Sequence, residues 1–367
     1  MDTRYQVVKQ IGSHHTPLEV RGGGETAMAE IHDLVARLGK EQTKCELLAR
    51  LDDVLLPPKT RERLAADIFD QVEKASQVML DASTAFNISY SGFAVLSLPH
   101  KALPKITDAW ERTLADGKFM LRIEPGRLPI GGKWQEFGVP FGSRARLIML
   151  YLQTQCLLHG SRTIKLGSSL YEWLNRMGVP IGGPNYKAVK EQANRIRAAT
   201  LAFAMPGQKG TPFKQDFIVT GGVIFSDDDI ADPRQPRLWE DEIVLSETFY
   251  DALRKHPVPL NESAIRAISN ESWAIDVYIW LCYRLWSLET KIELSWAQLR
   301  DQFGPGAAYR KLANFRQKFL PVLQSALAVY PEARVEVTPG GIILLPSPPA
   351  VARSKIYQVK KVGDSQA

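Results

Sequence analysis

Two short stretches of this chain hold the residue types that recognise nucleic acid. In the first, Lys187, Lys190, Asn194 and Arg197 recur every three or four residues. In the second, Arg310, Lys311, Asn314, Gln317 and Lys318 do the same, and Ala308 to Leu320 holds four cations and no acid. Lysine and arginine neutralise phosphates and release their counterions. Arginine can pair twofold with the major-groove edge of guanine, and asparagine or glutamine with that of adenine. On a helix, the apolar series Val189, Ala193, Ile196 and Thr200 lies about 110° from the polar series. Such a helix packs on one side and presents cations on the adjoining side. In the second stretch Leu312, Phe315, Phe319 and Val322 form the apolar face. Tyr186 is a phosphate-contact candidate, as are Arg144 and Arg146 at the start of an earlier helix pattern. Salt bridging is an equal reading of those two arginines.

The elements that must position these residues occur twice. Ile164-Lys165-Leu166 leads to Ser169, then Leu170, Trp173, Met177 and a stop at Gly178. Ile292-Glu293-Leu294 leads to Ser295, then Trp296, Leu299, Phe303 and a stop at Gly304. Ser169 with Glu172, and Ser295 with Gln298, fit the reciprocal N-terminal cap in which hydroxyl and carboxylate or amide exchange backbone bonds. Gly178 suits a left-handed stop. Each copy continues through a glycine-rich turn into its basic helix, although Pro321 should kink or end the second. Strand-like segments follow, at 201–205 and 216–225 with Lys209 and Lys214 in the intervening loop, and as a hairpin around Pro339-Gly340-Gly341. Strand, helix, turn, basic helix and strand pair make a winged helix-turn-helix, and two of them would grip double-stranded DNA at two places.

The expected fold class is therefore α+β, mainly helical, with two tandem winged-helix domains. The first occupies 96–225 and the second 242–350, the latter opening on Ile243-Val244-Leu245. Between them, 226–241 reads as an acidic, proline-containing linker, and 351–367 as a flexible basic tail. Residues 1–95 read as an N-terminal extension that is helical or partly disordered, with helix patterns near 26–50 and 60–81. The proline- and glycine-rich stretch 98–142 reads as loops and short elements.

The chain has 367 residues and a formal net charge of +6. Gly142 to Thr200 holds nine Lys/Arg against two acids, a local surplus larger than that of the whole chain. Such a surplus is an electrostatic footprint for phosphate. Cys45, Cys156 and Cys282 are far apart and odd in number, which argues for buried thiols in a reducing compartment and against a disulfide framework or zinc site. No P-loop signature occurs, and His14-His15 is not the separated pair a metal-dependent nickase needs. No membrane segment or signal layout is read. The expectation is a cytoplasmic, non-enzymatic protein with no cofactor and no metal.

Several runs resemble the plasmid-encoded RepA replication proteins. These are Gly138-Val139-Pro140-Phe141-Gly142-Ser143-Arg144-Ala145-Arg146-Leu147, Gly167-Ser168-Ser169, Trp173-Leu174, Gly182-Gly183, Tyr186, Leu98-Pro99-His100 and Ser295-Trp296 with Leu299 to Gly304. The likeness covers roughly residues 95–350. It implies a bacterial plasmid replication initiator of the tandem winged-helix type that binds repeated origin sites, called iterons. It further implies melting of adjacent AT-rich DNA, recruitment of the host initiator and replicative helicase, and a homodimer formed through the first winged-helix domain. A transcriptional repressor of the same fold is the alternative reading. A rolling-circle strand-nicking enzyme is a third, and it lacks a visible histidine cluster.

Overall fold

The computed structural model of the chain describes residues 27–52, 56–83, 85–114, 117, 119–165, 167–179, 183–204, 213–223, 242–304 and 311–352. Three helices come first: α1 (Ala27–Leu38), α2 (Lys40–Asp52) and α3 (Pro58–Met79). Gly39, at φ 75°, breaks α1 from α2. Pro58 starts α3, where its fixed φ suits the first turn and its missing N–H costs nothing. Strand β1 (Phe86–Tyr90) and the short α4 (Ser91–Val95) follow.

The stretch expected as loops holds four strands: β2 (Trp110–Thr113), β3 (Met120–Glu124), β4 (Gly126–Ile130) and β5 (Lys133–Phe137). Their alternation is short and interrupted by proline and glycine, which hides them in the sequence. Next come α5 (Gly142–His159), β6 (Thr163–Lys165), α6 (Gly167–Arg176) and α7 (Gly183–Ala198). Helix α6 stops at Gly178 with φ 71°, the left-handed conformation its sequence favours. The side chain of Ser169 lies outside the described residues, so its cap is not placed. Strands β7 (Thr200–Ala204), β8 (Phe213–Phe217) and β9 (Val219–Val223) complete the first unit.

The second unit has β10 (Glu242–Leu245), α8 (Glu247–Lys255), β11 (Pro257–Asn261), α9 (Glu262–Ala267) and α10 (Ser272–Leu285). Strand β12 (Ile292–Ser295) then leads to α11 (Trp296–Phe303), α12 (Leu312–Ala328), β13 (Val335–Val337) and β14 (Gly341–Leu344). The reciprocal cap of Ser295 and Gln298 is present. Gly304, by contrast, has φ −71°. Glycine is needed there because a Cβ would stand 2.5 Å from the Arg300 carbonyl. Pro321 does not end α12, which continues to Ala328.

Pairing departs from a simple two-unit division. In the second unit β14 lies between β12 and β13, all antiparallel. In the first, β10 lies between β6 and β9, with Ile243 opposite Ile164 and Gly222. The strand expected to open the second unit thus belongs to the sheet of the first. Ile243 and Leu245 are fully buried there. Strands β7 and β8 extend β2 and β3 into a four-stranded sheet. Among the described residues, those of 27–95 pack against the second unit and do not stand apart from it. β1 pairs with β11, α1 and α3 pack on α12, and α4 packs on α10. One apolar cluster runs through Ile31, Val72, Leu150, Ile279 and Phe319.

Candidate nucleic-acid interface

Helix α7 buries Val189, Ala193 and Ile196 completely, as its apolar stripe requires. Its polar side is divided. Lys187 is exposed, and Tyr186 and Lys190 are half-buried. Asn194 and Arg197, expected to face DNA, are each only 5% exposed. Arg197 Nη1 donates to Asn194 Oδ1 at 3.1 Å. The β4–β5 hairpin, α5 and β9 all pack against α7, and Leu128 and Phe137 of the hairpin enclose Ala198, one turn beyond Asn194. Neither Asn194 nor Arg197 can read a base in this fold. Sequence reasoning also passed over Gln192 and Arg195. Gln192 Oε1 accepts from the Phe141 amide at 2.9 Å. Arg195 donates to the Val139 carbonyl and lies over the Phe141 ring.

Helix α12 keeps more of its expected face. Lys311, Asn314 and Lys318 are exposed and Gln317 is half-buried, while Phe315 and Phe319 are fully buried. Leu312, expected in the core, is 38% exposed. Arg316 lies over the Trp296 ring, 5.3 Å from its centroid. The C-terminal half is enclosed by the N-terminal helices: His32 Nε2 meets the Ala328 carbonyl at 3.0 Å, and Lys74 donates to Ser325 Oγ at 3.1 Å. Lys209 and Arg310 lie outside the described residues. Lys214 stands opposite Phe203 on the β7–β8 ladder.

The paired arginines of α5 part company. Arg146 is 4% exposed and grips Asp276 of α10 with two bonds, Nε to Oδ1 and Nη2 to Oδ2, both 2.6 Å. It also donates to the carbonyls of Leu98, Pro99 and Gly142. It is a buried tie between the two units and not a phosphate contact. A guanidinium has five donors in a rigid fork, and here nearly all are spent inside the protein. His100 completes this cluster, with Nδ1 3.1 Å from Ser272 Oγ and Nε2 3.8 Å from Asp276. Burial first, and the Arg146 charge second, hold its imidazole down at about 4 against the opposing pull of Asp276. Arg144 is half-buried, and burial alone pulls its guanidinium below the ordinary value. Among the described residues it has no ion pair.

A second tie was not visible in the sequence at all. Arg112 of β2 donates to the carbonyls of Asp301, Gln302 and Gly304, at the end of α11. A cation there satisfies orphan carbonyls and the negative end of the helix dipole. Arg176 of α6 meets Glu262 of α9 at 3.4 Å. Cys156 and Cys282 are buried, and burial pushes the Cys156 thiol up to about 12. Cys45, expected to be buried, is exposed. Among the described residues no three His, Cys, Asp or Glu side chains gather as a metal site. No described helix is long and apolar enough to cross a membrane.

In each half a cationic helix follows a strand and a short helix, and Arg146 and Arg112 tie the halves together. Residues 139–298 match the family model described as plasmid encoded RepA protein. Two crystal structures of domains 2 and 3 of RctB are similar to it. One, of the selenomethionine derivatives, has 11% identity and a TM-score of 0.45, over 72% of this chain and 99% of that one. The other has 10% identity and a TM-score of 0.40, over 70% and 94%. No curated protein matches the sequence.

Proposed function

We propose that this chain initiates plasmid replication by binding repeated sites of its origin as double-stranded DNA through two winged-helix units. The observation that carries the reading is the pair of cationic helix starts. Lys187 and Lys190 on α7, and Lys311, Asn314 and Lys318 on α12, remain exposed or half-buried where neighbouring positions are covered. Arg144 at the start of α5, a cation without an acid partner among the described residues, adds a phosphate contact beside α7. Tyr186 and Gln317 flank these surfaces; Lys209, Lys214 and Arg310 would extend them. The buried Arg146–Asp276 pair and the Arg112 bonds support a fixed spacing of the two helices. Linked sites then act at high effective concentration on one duplex. Origin opening, contact with a host initiator and replicative helicase, and pairing of two copies through the first unit complete the proposed role.

The test is equilibrium binding to duplex from the cognate origin, measured across salt concentrations. Replacing Lys187 and Lys190, or Lys311 and Lys318, by alanine should weaken binding and lower the salt slope by about one per lost phosphate contact. Asn314→Ala should cost roughly 1–3 kcal/mol on origin DNA if it reads a base, and much less on unrelated duplex. Unchanged affinity and slope in both double variants would remove the reading. Supplying the gene in trans to a plasmid bearing only the origin separates an initiator from a repressor, since a repressor alone would not sustain replication.

A further inference from the structure

The β4–β5 hairpin carries an aromatic side chain that the fold does not use. Trp134 is 71% exposed, the most exposed of the large apolar side chains among the described residues. It stands directly across from Pro129, on the face turned away from α7. Leu128 and Phe137 occupy the opposite face and seat the hairpin on Ala198. The seat is tight: a Cβ on Gly126 would meet the Ala198 carbonyl at 2.0 Å. The tip, Gly131-Gly132, has φ 56° and 73°, the positive pair that a two-residue hairpin turn requires. Lys133 adjoins the tip across from Ile130, on the other face of the ribbon from Trp134, where it is exposed and has no ion pair among the described residues. On the outer face the only charges, Arg127 and Glu136, neutralise each other at 2.5 Å. A stiff ribbon rooted on the cationic helix thus holds out one indole on its outer face, with one uncompensated ammonium next to it at the tip.

An indole flat to solvent favours a flat partner, and Lys133 favours an anionic one. A nucleotide supplies both. A protein partner fits poorly, because one indole and one proline fall far short of the roughly 800 Å² per side of a stable interface. Bases inside a duplex already stack on each other, so the indole can reach a base face only where strands are open.

We infer that the β4–β5 ribbon is a contact for unpaired DNA, with Trp134 stacking on a base and Lys133 meeting an adjacent phosphate. It rests on the reading of the chain as an origin-binding protein, and places a single-strand contact beside α7.

The probe is a fluorescein-labelled dT20 strand read by anisotropy with the full chain, alongside origin duplex. Trp134→Ala should weaken dT20 binding by about 5- to 150-fold, with duplex affinity within about twofold. Trp134→Phe should retain most of it. Saturating dT20 should quench tryptophan emission more in the unaltered chain than in Trp134→Phe, which keeps the other seven tryptophans. Equal dT20 affinity of Trp134→Ala and the unaltered chain overturns the inference. So does a drop in sedimentation-equilibrium mass on that substitution, which would make the ribbon a contact between copies. Failure of the unaltered chain on origin duplex with Trp134-dependent dT20 binding would overturn the two-helix reading and leave the ribbon contact standing.

Discussion

Among single residues, burial decides what a side chain can do. Asn194 and Arg197 have the chemistry to read bases, yet they bond each other inside the fold. Asn194→Ala should therefore lower stability by about 1–3 kcal/mol, through an unsatisfied buried partner. Chemical denaturation would register that loss, while affinity per folded molecule on origin DNA stays unchanged. His100 gives a second test. In the fold its imidazole holds a proton only below about 4, whereas the free value is 6.5. Between those pH values the unfolded chain binds a proton that the fold refuses. Its contribution to stability is complete above about 6.5 and is lost as pH falls toward 4, a change of up to roughly 3 kcal/mol. His100→Gln should flatten the difference in unfolding free energy between pH 7 and pH 5 relative to the unaltered chain.

Among elements, the unforeseen strands matter most. Sequence periodicity located both helix–turn–helix runs, because their apolar positions recur over many residues and their caps are local chemistry. It did not locate β2 to β5, since strands of four or five residues broken by Pro125, Pro129 and Gly131-Gly132 carry little pattern. Yet β2 supplies Arg112, which closes the end of α11, the helix that precedes α12. Arg112→Ala should leave those carbonyls without their cation. Hydrogen exchange should rise across 296–304, and affinity for a two-site origin duplex should fall further than affinity for a single site. Equal losses on both duplexes would show that Arg112 does not set the spacing of the units.

For the whole molecule, the N-terminal helices are structural partners of the second unit. The far half of α12 buries Leu323, Ala326 and Leu327, and α1 and α3 pack on that helix. Removing residues 1–83 exposes this apolar surface. The truncated chain should lose cooperative unfolding and expose apolar surface to a dye such as ANS. A truncated chain that melts as sharply as the full one would contradict that role. The two arginine ties act at the same scale. Breaking a buried pair such as Arg146–Asp276 leaves a charge without its partner, which typically costs about 3–5 kcal/mol.

The sequence alone determined the duplicated strand–helix–turn–helix order, the core positions of Trp173 and Trp296, the cap at Ser295 and the stop at Gly178. Each follows from interactions between residues a few positions apart, which periodicity and residue type encode. Only the tertiary structure decided which cations face outward, that β10 joins the first sheet, and that residues 27–95 complete the second unit's core. Those outcomes depend on segments up to about 300 positions away, as in the contact of His32 with Ala328. A side chain's exposure is set by whatever folds over it, and no local pattern specifies that neighbour.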